Sequence, residues 1–267
     1  MSSPSLPPSP EAISSNAKLT FPVKKSNKSR LAGKLLYWWC WFVAGSLLLL
    51  VGTPALIALW LVDRRQSLYP LAQWGARTWL RACRARVRVI GSENLVPGIS
   101  YIFVSNHRSY LDTAALFAYV GPNIGLVAKK ELLKVPVMGQ GMGFVNIIAI
   151  DRTNPERAVA SMEKARGVVK RGYSFGVFVE GTRALPGELL PFKKGAFYLA
   201  LQTGAPIIPV AIKNTDWMMG KRTGVAYPGD IEMVLLPQVL TAGKTSDDIQ
   251  DLLQQTRAAI ANELAAG

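Results

Sequence analysis

The chain contains a single histidine, His107, within the stretch Val104-Ser105-Asn106-His107-Arg108-Ser109-Tyr110-Leu111-Asp112. Imidazole is the side chain best able to take and return a proton near neutral pH, so general-base chemistry here has one histidine to use. Asp112 lies five residues on, and a carboxylate can orient an imidazole and stabilise its charged form. Five is the wrong spacing for one face of a continuous helix, where neighbours are three or four apart. It works if His107 sits in the turn before a helix and Asp112 in its first turns. Local signals place the pair that way. Tyr101-Ile102-Phe103-Val104 is an aromatic and β-branched run that reads as a buried strand. Ser109-Tyr110-Leu111-Asp112 has the S-x-x-D spacing of a helix start. An acidic residue that merely favours a first helical turn satisfies the same spacing, so both roles stay open for Asp112.

Charge recurs after three further strand-like runs. Lys129 and Lys130 follow Gly125-Ala128, Asp151-Arg152 follows Ile147-Ile150, and Glu180-Gly181-Thr182-Arg183 follows Phe175-Val179. Gly181 allows close backbone approach, and Arg183 offers a planar fork to a phosphate. If these strands are parallel to the one before His107, all four loops meet at one sheet edge, where open α/β sheets commonly bind ligands. One histidine and two distant cysteines, Cys40 and Cys83, supply too few nitrogen and sulfur ligands for a metal site and no disulfide framework. Ser105 and Ser109 flank the histidine, but neither stands in a nucleophile-elbow sequence such as G-x-S-x-G.

The elements that must hold these loops fall into three segments. Residues 1 to 30, rich in Ser, Pro, Asn and Lys without hydrophobic period, read as a disordered basic tail. Residues 31–85 read as membrane-anchoring and interfacial helices. From Leu35 to Val62 no residue carries a charge, which exceeds the roughly 20 residues that cross a bilayer core. Trp38, Trp39, Trp41 and Trp60 near its ends resemble interfacial aromatic belts. Basic residues flank both sides, and Gly52 with Pro54 can split the run, so a single span and a helical hairpin are both compatible. Ser67 to Arg84, apolar residues among arginines, fits either an interfacial helix or one packed on the globular domain. Residues 86–267 alternate strand and helix signals. Strands are expected near 87–89, 101–104, 125–128, 147–150, 175–179, 207–212 and 231–236, with helices near 110–119, 155–171, 193–203 and 246–265. The pattern gives an α/β domain with a central mixed, largely parallel sheet flanked by helices. A formal charge of +14 calls for an anionic partner. The cations cluster beside the apolar run and no stacking platform is visible, which favours a membrane over nucleic acid.

Asn106-His107-Arg108-Ser109-Tyr110-Leu111-Asp112 resembles the N-H-x-x-x-x-D motif of the glycerolipid acyltransferase family, specifically its 1-acylglycerol-3-phosphate acyltransferases. The likeness continues through Ala128-Lys129-Lys130-Glu131-Leu132-Leu133-Lys134-Val135-Pro136, Ile150-Asp151-Arg152 and Phe178-Val179-Glu180-Gly181-Thr182-Arg183. It then runs on through Pro191-Phe192-Lys193-Lys194-Gly195-Ala196 and Ala205-Pro206-Ile207-Ile208-Pro209-Val210. The blocks stand in the family's order across roughly 86–212. The resemblance implies transfer of a fatty acyl group from acyl-CoA or acyl carrier protein to the sn-2 hydroxyl of 1-acylglycerol-3-phosphate, giving phosphatidic acid. It implies His107 as base, Asp112 as its orienting partner, and Lys129, Lys130, Arg152, Glu180, Gly181, Thr182 and Arg183 in the substrate pocket. Glu180 is expected to position Arg183 or a substrate hydroxyl. No cofactor is expected beyond the acyl carrier as co-substrate. The expected setting is a bacterial inner membrane with the domain on its cytoplasmic side. A different lysolipid acceptor, such as lyso-ornithine lipid, and a non-catalytic lipid-binding role on the same fold are the alternatives.

Overall fold

The computed structural model describes residues 17–62, 67–121, 123–151 and 155–266. Strands are β1 (Leu19–Thr20), β2 (Ala85–Ile90), β3 (Ile102–Ser105), β4 (Gly125–Lys129), β5 (Ile147–Ile150), β6 (Phe175–Phe178), β7 (Glu188–Leu189), β8 (Ile207–Lys213) and β9 (Gly229–Leu235). Helices are α1 (Arg30–Leu47), α2 (Thr53–Leu61), α3 (Leu68–Ala82), α4 (Tyr110–Tyr119), α5 (Met138–Met142), α6 (Pro155–Lys170), α7 (Gly195–Thr203), α8 (Thr215–Met219) and α9 (Ile249–Ala265). Seven strands form one sheet in the order β2-β9-β8-β3-β6-β4-β5, with every neighbouring pair parallel except β8 and β9. The carboxyl ends of β3, β6, β4 and β5 therefore share one edge, and the His107 loop and the three charged loops emerge from it.

The central strands are apolar throughout because both faces are covered. Every residue of β3 and β6 is buried. Alternation sorts their side chains between two layers. Ile102 and Val104 face α6, α7 and α9, packing with Val168, Phe197 and Leu252. Tyr101 and Phe103 face α3 and α4, packing with Leu80, Leu111 and Leu116.

The apolar N-terminal run forms a continuous helix from Arg30 to Leu61, a length and composition able to cross a membrane. A π-helical turn over Leu48–Gly52 joins α1 to α2. Pro54 lacks the N–H that an α-helix would use there, and the Thr53 hydroxyl donates to the Leu48 carbonyl, so the register is absorbed as a bulge. The backbone stays helical through Leu48, Gly52 and Thr53, and the two half-helices do not fold back at Pro54.

One face of this helix is seated on the domain along its length. The Ala226 N–H donates to the Gly33 carbonyl at 2.9 Å, and Trp79 Nε1 donates to the Cys40 carbonyl at 2.8 Å. Trp41 meets the Tyr110 ring edge-on at 5.1 Å, and Leu36, Tyr37, Ala55, Leu56 and Leu59 pack against the core. The opposite face leaves Leu35, Trp38, Phe42, Leu50, Ile57 and Trp60 exposed. Helix α3 is also seated on the domain, burying Leu68, Tyr69 and Leu80. Its Gln73 and Arg77 donate to carbonyls at the end of α4.

The expected disordered tail needs correction where it is described. Leu19–Thr20 pair antiparallel with Glu188–Leu189, Leu19 is buried, and the Phe21 N–H donates to the Gly187 carbonyl at 2.7 Å. Leu19, Phe21 and Val23 alternate, so this short strand has an apolar face to bury although the surrounding composition is polar. Residues 1–16 of the tail lie outside the described residues.

A side chain at Gly33 would come within 2.7 Å of the Tyr227 ring, whereas one at Gly45 would meet nothing within 4 Å. Gly33→Leu is therefore expected to destabilise by roughly 1–3 kcal/mol through overpacking, lowering the thermal midpoint by several degrees, while Gly45→Leu does not lower it. Equal losses at both positions would contradict the seating of α1.

Candidate active site

Strand β3 ends because Asn106 replaces the backbone ladder with its side chain. Its Nδ2 donates to the Ile212 carbonyl at 2.9 Å and its Oδ1 accepts from the Ile212 N–H at 2.8 Å. The chain is pinned to β8 there and turns, placing His107 beyond the sheet edge. Ser109 caps α4 by accepting from the Leu111 N–H, and Asp112 completes the capping box by accepting from the Ser109 N–H at 2.7 Å. The same oxygen, Asp112 Oδ2, accepts from the Arg108 N–H at 2.6 Å and lies 2.9 Å from His107 Nδ1. Capping and histidine orientation thus coexist in one atom. Asp112 is fully buried, while the His107 side chain keeps 16% exposure.

The imidazole stacks on Phe178, with ring centres 4.1 Å apart and planes at 21°. Its backbone is clamped by the loop after β6. The His107 N–H donates to Glu180 Oε1 at 2.6 Å, and the His107 carbonyl accepts from the Ala184 N–H at 2.7 Å. Glu180 Oε2 accepts from the Leu190 N–H at 2.7 Å, so both oxygens hold backbone amides, and the carboxylate reaches the histidine loop rather than Arg183. Burial pushes the Glu180 carboxyl up to about 7 against the opposing pull of these hydrogen bonds. Gly181 has φ +70° in the tight turn where its N–H reaches the Phe178 carbonyl, and a side chain there would strike Lys193. Thr182 is exposed. The Arg183 guanidinium lies 3.7 Å above the Tyr110 ring, and Lys221 donates to the Arg183 carbonyl.

The other expected contacts lie further out. Lys130 pairs with Asp151 at 2.9 Å and Lys129 stands 3.6 Å from Glu131. Both leave β4, two strand positions from β3, or roughly 10 Å. Arg152 lies outside the described residues. Four contributors carried no local signal of their role: Phe178 under the imidazole, Tyr110 under Arg183, Asn106 on β8, and Arg108. Arg108 is buried, donating to the Glu188 carbonyl at 2.7 Å and pairing with Asp216 at 3.1 Å. Among the described residues no group of three or more His, Cys, Asp or Glu could hold a metal.

A buried carboxylate that fixes Nδ1 leaves the other imidazole nitrogen to accept a proton, beside a loop presenting an arginine. Residues 86–213 match the family model described as Acyltransferase. The chain is 35% identical over 195 residues to a 1-acyl-sn-glycerol-3-phosphate acyltransferase of Saccharomyces cerevisiae, covering 70% of this chain and 64% of that protein. It is 39% identical over 182 residues to an uncharacterized acyltransferase of Schizosaccharomyces pombe, covering 67% and 65%. The chain thus spans just under two thirds of the length of these curated relatives. The crystal structure of the 1-acyl-sn-glycerophosphate (LPA) acyltransferase PlsC from Thermotoga maritima superposes with TM-score 0.76 at 26% identity, over 89% of this chain and 98% of that one.

Glu180 supplies a pH signature. Its folded value, raised to about 7 from the ordinary 4.5, means the neutral form is favoured in the fold. The associated stability is full below about pH 4.5 and lost as pH rises through about 7. The thermal midpoint of the wild type is expected to fall across this window relative to Glu180→Gln, which cannot ionise. Parallel pH profiles would show that burial does not perturb this carboxyl.

Proposed function

We propose that this chain transfers a fatty acyl group from acyl-CoA or acyl carrier protein to the sn-2 hydroxyl of 1-acylglycerol-3-phosphate, giving phosphatidic acid for phospholipid biosynthesis. The observation that carries the reading is the 2.9 Å contact between His107 Nδ1 and buried Asp112 at the carboxyl end of β3, inside the segment that matches the Acyltransferase family model. With its proton held on Nδ1 toward the carboxylate, His107 presents unprotonated Nε2 to the acceptor hydroxyl. As the hydroxyl oxygen attacks the thioester carbonyl carbon, its proton passes to Nε2. The tetrahedral intermediate collapses with cleavage of the carbon–sulfur bond, and the departing thiolate takes the proton back from the imidazolium. Asp112 stabilises that imidazolium throughout. The thioester is already activated, so no enzyme nucleophile is required.

Arg183 binds the acceptor phosphate by charge-assisted hydrogen bonds, held in place by the Tyr110 ring. Lys130, at the same sheet edge, adds to the cationic rim. The long N-terminal helix sits beside this site through the Trp41–Tyr110 contact and turns an apolar face outward. A helix seated along a domain in this way lies along the membrane interface, so the lysolipid reaches His107 from the bilayer and the thioester reaches it from the cytoplasm.

His107→Ala, purified and folded, is expected to lose acyl transfer by about 10²–10⁴-fold or more in a thioester-consumption assay. Wild-type rates in that variant would rule out the base assignment. Arg183→Ala is expected to raise the KM for 1-acylglycerol-3-phosphate by about tenfold or more with little change in the KM for the thioester. An unchanged acceptor KM would remove Arg183 from phosphate binding.

A further inference from the structure

A second amphiphilic site stands apart from the His107 cluster, where the start of α1 meets the α3–β2 turn and the loop before β9. A cavity of about 350 Å³ is lined by Lys28, Leu35, Trp39, Arg84 and Tyr227, among others. A neighbouring cavity of about 400 Å³ shares Arg84 and Pro228 with it and adds Arg81 and Arg86. Neither is lined by His107, Asp112 or Arg183. Lys28, Arg81 and Arg84 are exposed and pair with no carboxylate among the described residues, whereas Arg86 is matched by Asp230 at 2.5 Å. Arg84 holds the turn with φ +53°, a backbone region where a long side chain is uncommon, and its carbonyl accepts from the Gly229 N–H.

The site's walls differ in character. One side is cation with no carboxylate partner among the described residues, and the other is Leu35 and Trp39, 65% and 50% exposed and continuous with the bare apolar face of the long helix. Free phosphate would use only the cations, and an apolar chain only the helix. A bilayer phospholipid with an anionic headgroup uses both, its phosphate at the arginines and its acyl chain along Leu35 and Trp39. Strand β2 runs antiparallel to β3, so its first residues project from the sheet edge that carries His107. The site and the catalytic loops therefore face the same side of the molecule.

We propose that Lys28, Arg81 and Arg84, with Leu35 and Trp39, form a binding site for an anionic bilayer phospholipid distinct from the acceptor site. The proposal does not depend on the acyl-transfer reading.

The test is titration of the full chain in neutral detergent micelles with a short-chain phosphatidylglycerol, read as an apparent Kd. Saturable binding is expected, with short-chain phosphatidylcholine binding at least about tenfold more weakly. The double variant Arg81→Gln/Arg84→Gln is expected to raise the Kd about tenfold or more. A charge-matched control, Lys164→Gln/Lys170→Gln on α6 across the sheet, should change it less than about twofold, and Arg183→Ala should leave it unchanged. Thermal midpoints verify that each variant is folded. Equal losses in both double variants would replace the site with diffuse attraction. Loss in Arg183→Ala alone would move binding to the acceptor pocket. Competition by inorganic phosphate as effective as by the lipid would overturn the lipid assignment.

Discussion

One oxygen, Asp112 Oδ2, gathers the Ser109 N–H, the Arg108 N–H and His107 Nδ1 within 2.9 Å. Its partner oxygen is buried and has no hydrogen bond among the described residues, so the carboxylate's interactions are concentrated on this one atom. A buried carboxylate is tolerated only when charge-assisted hydrogen bonds compensate its desolvation, and the first turn of α4 provides them with a favourable dipole. The start of a helix and the orientation of the His107 ring are therefore one event. Anything that unravels the first turn of α4 releases the imidazole.

The surrounding structure keeps that event at a fixed place. Asn106 pins the loop to β8, Glu180 and the Ala184 N–H hold both sides of the His107 peptide, and Phe178 supports the ring from below. Arg108 anchors the other side, reaching Asp216 and the Glu188 carbonyl beneath the Phe21 ring. Phe21 follows β1 directly, which gives the segment around Leu19–Thr20 a structural task. The long apolar helix touches the same cluster through Trp41 and Tyr110, linking the outward lipid-like face to the chemistry by two ring contacts.

How much of this was legible depended on the range of each interaction. The sheet strands announced themselves because a doubly covered strand is a continuous apolar run, and β3 and β6 are buried at every position. The start of α4 was legible because a capping box is written in four consecutive residues. Phe178, Asp216 and the β1–β7 pair are joined to the site only across long stretches of chain, and no local pattern records such contacts. Glu180 was read toward Arg183 because both stand in one loop, whereas its oxygens reach back to the peptide of His107 and forward to Leu190. The brief alternation of Leu19, Phe21 and Val23 was masked by the polar composition around it. At Pro54 the sequence allowed a reversal, and the helix instead took up the missing hydrogen bond in a π-helical turn.

The central claim is that Asp112 holds the His107 proton on Nδ1 and leaves Nε2 as the base. Because the chain has one histidine, ¹⁵N-histidine labelling yields a single imidazole to observe. Spectra of the neutral ring are predicted to show a protonated, pyrrole-like Nδ1 and an unprotonated, pyridine-like Nε2, with that preference lost in Asp112→Asn. A neutral ring protonated on Nε2 in the wild type would contradict the account.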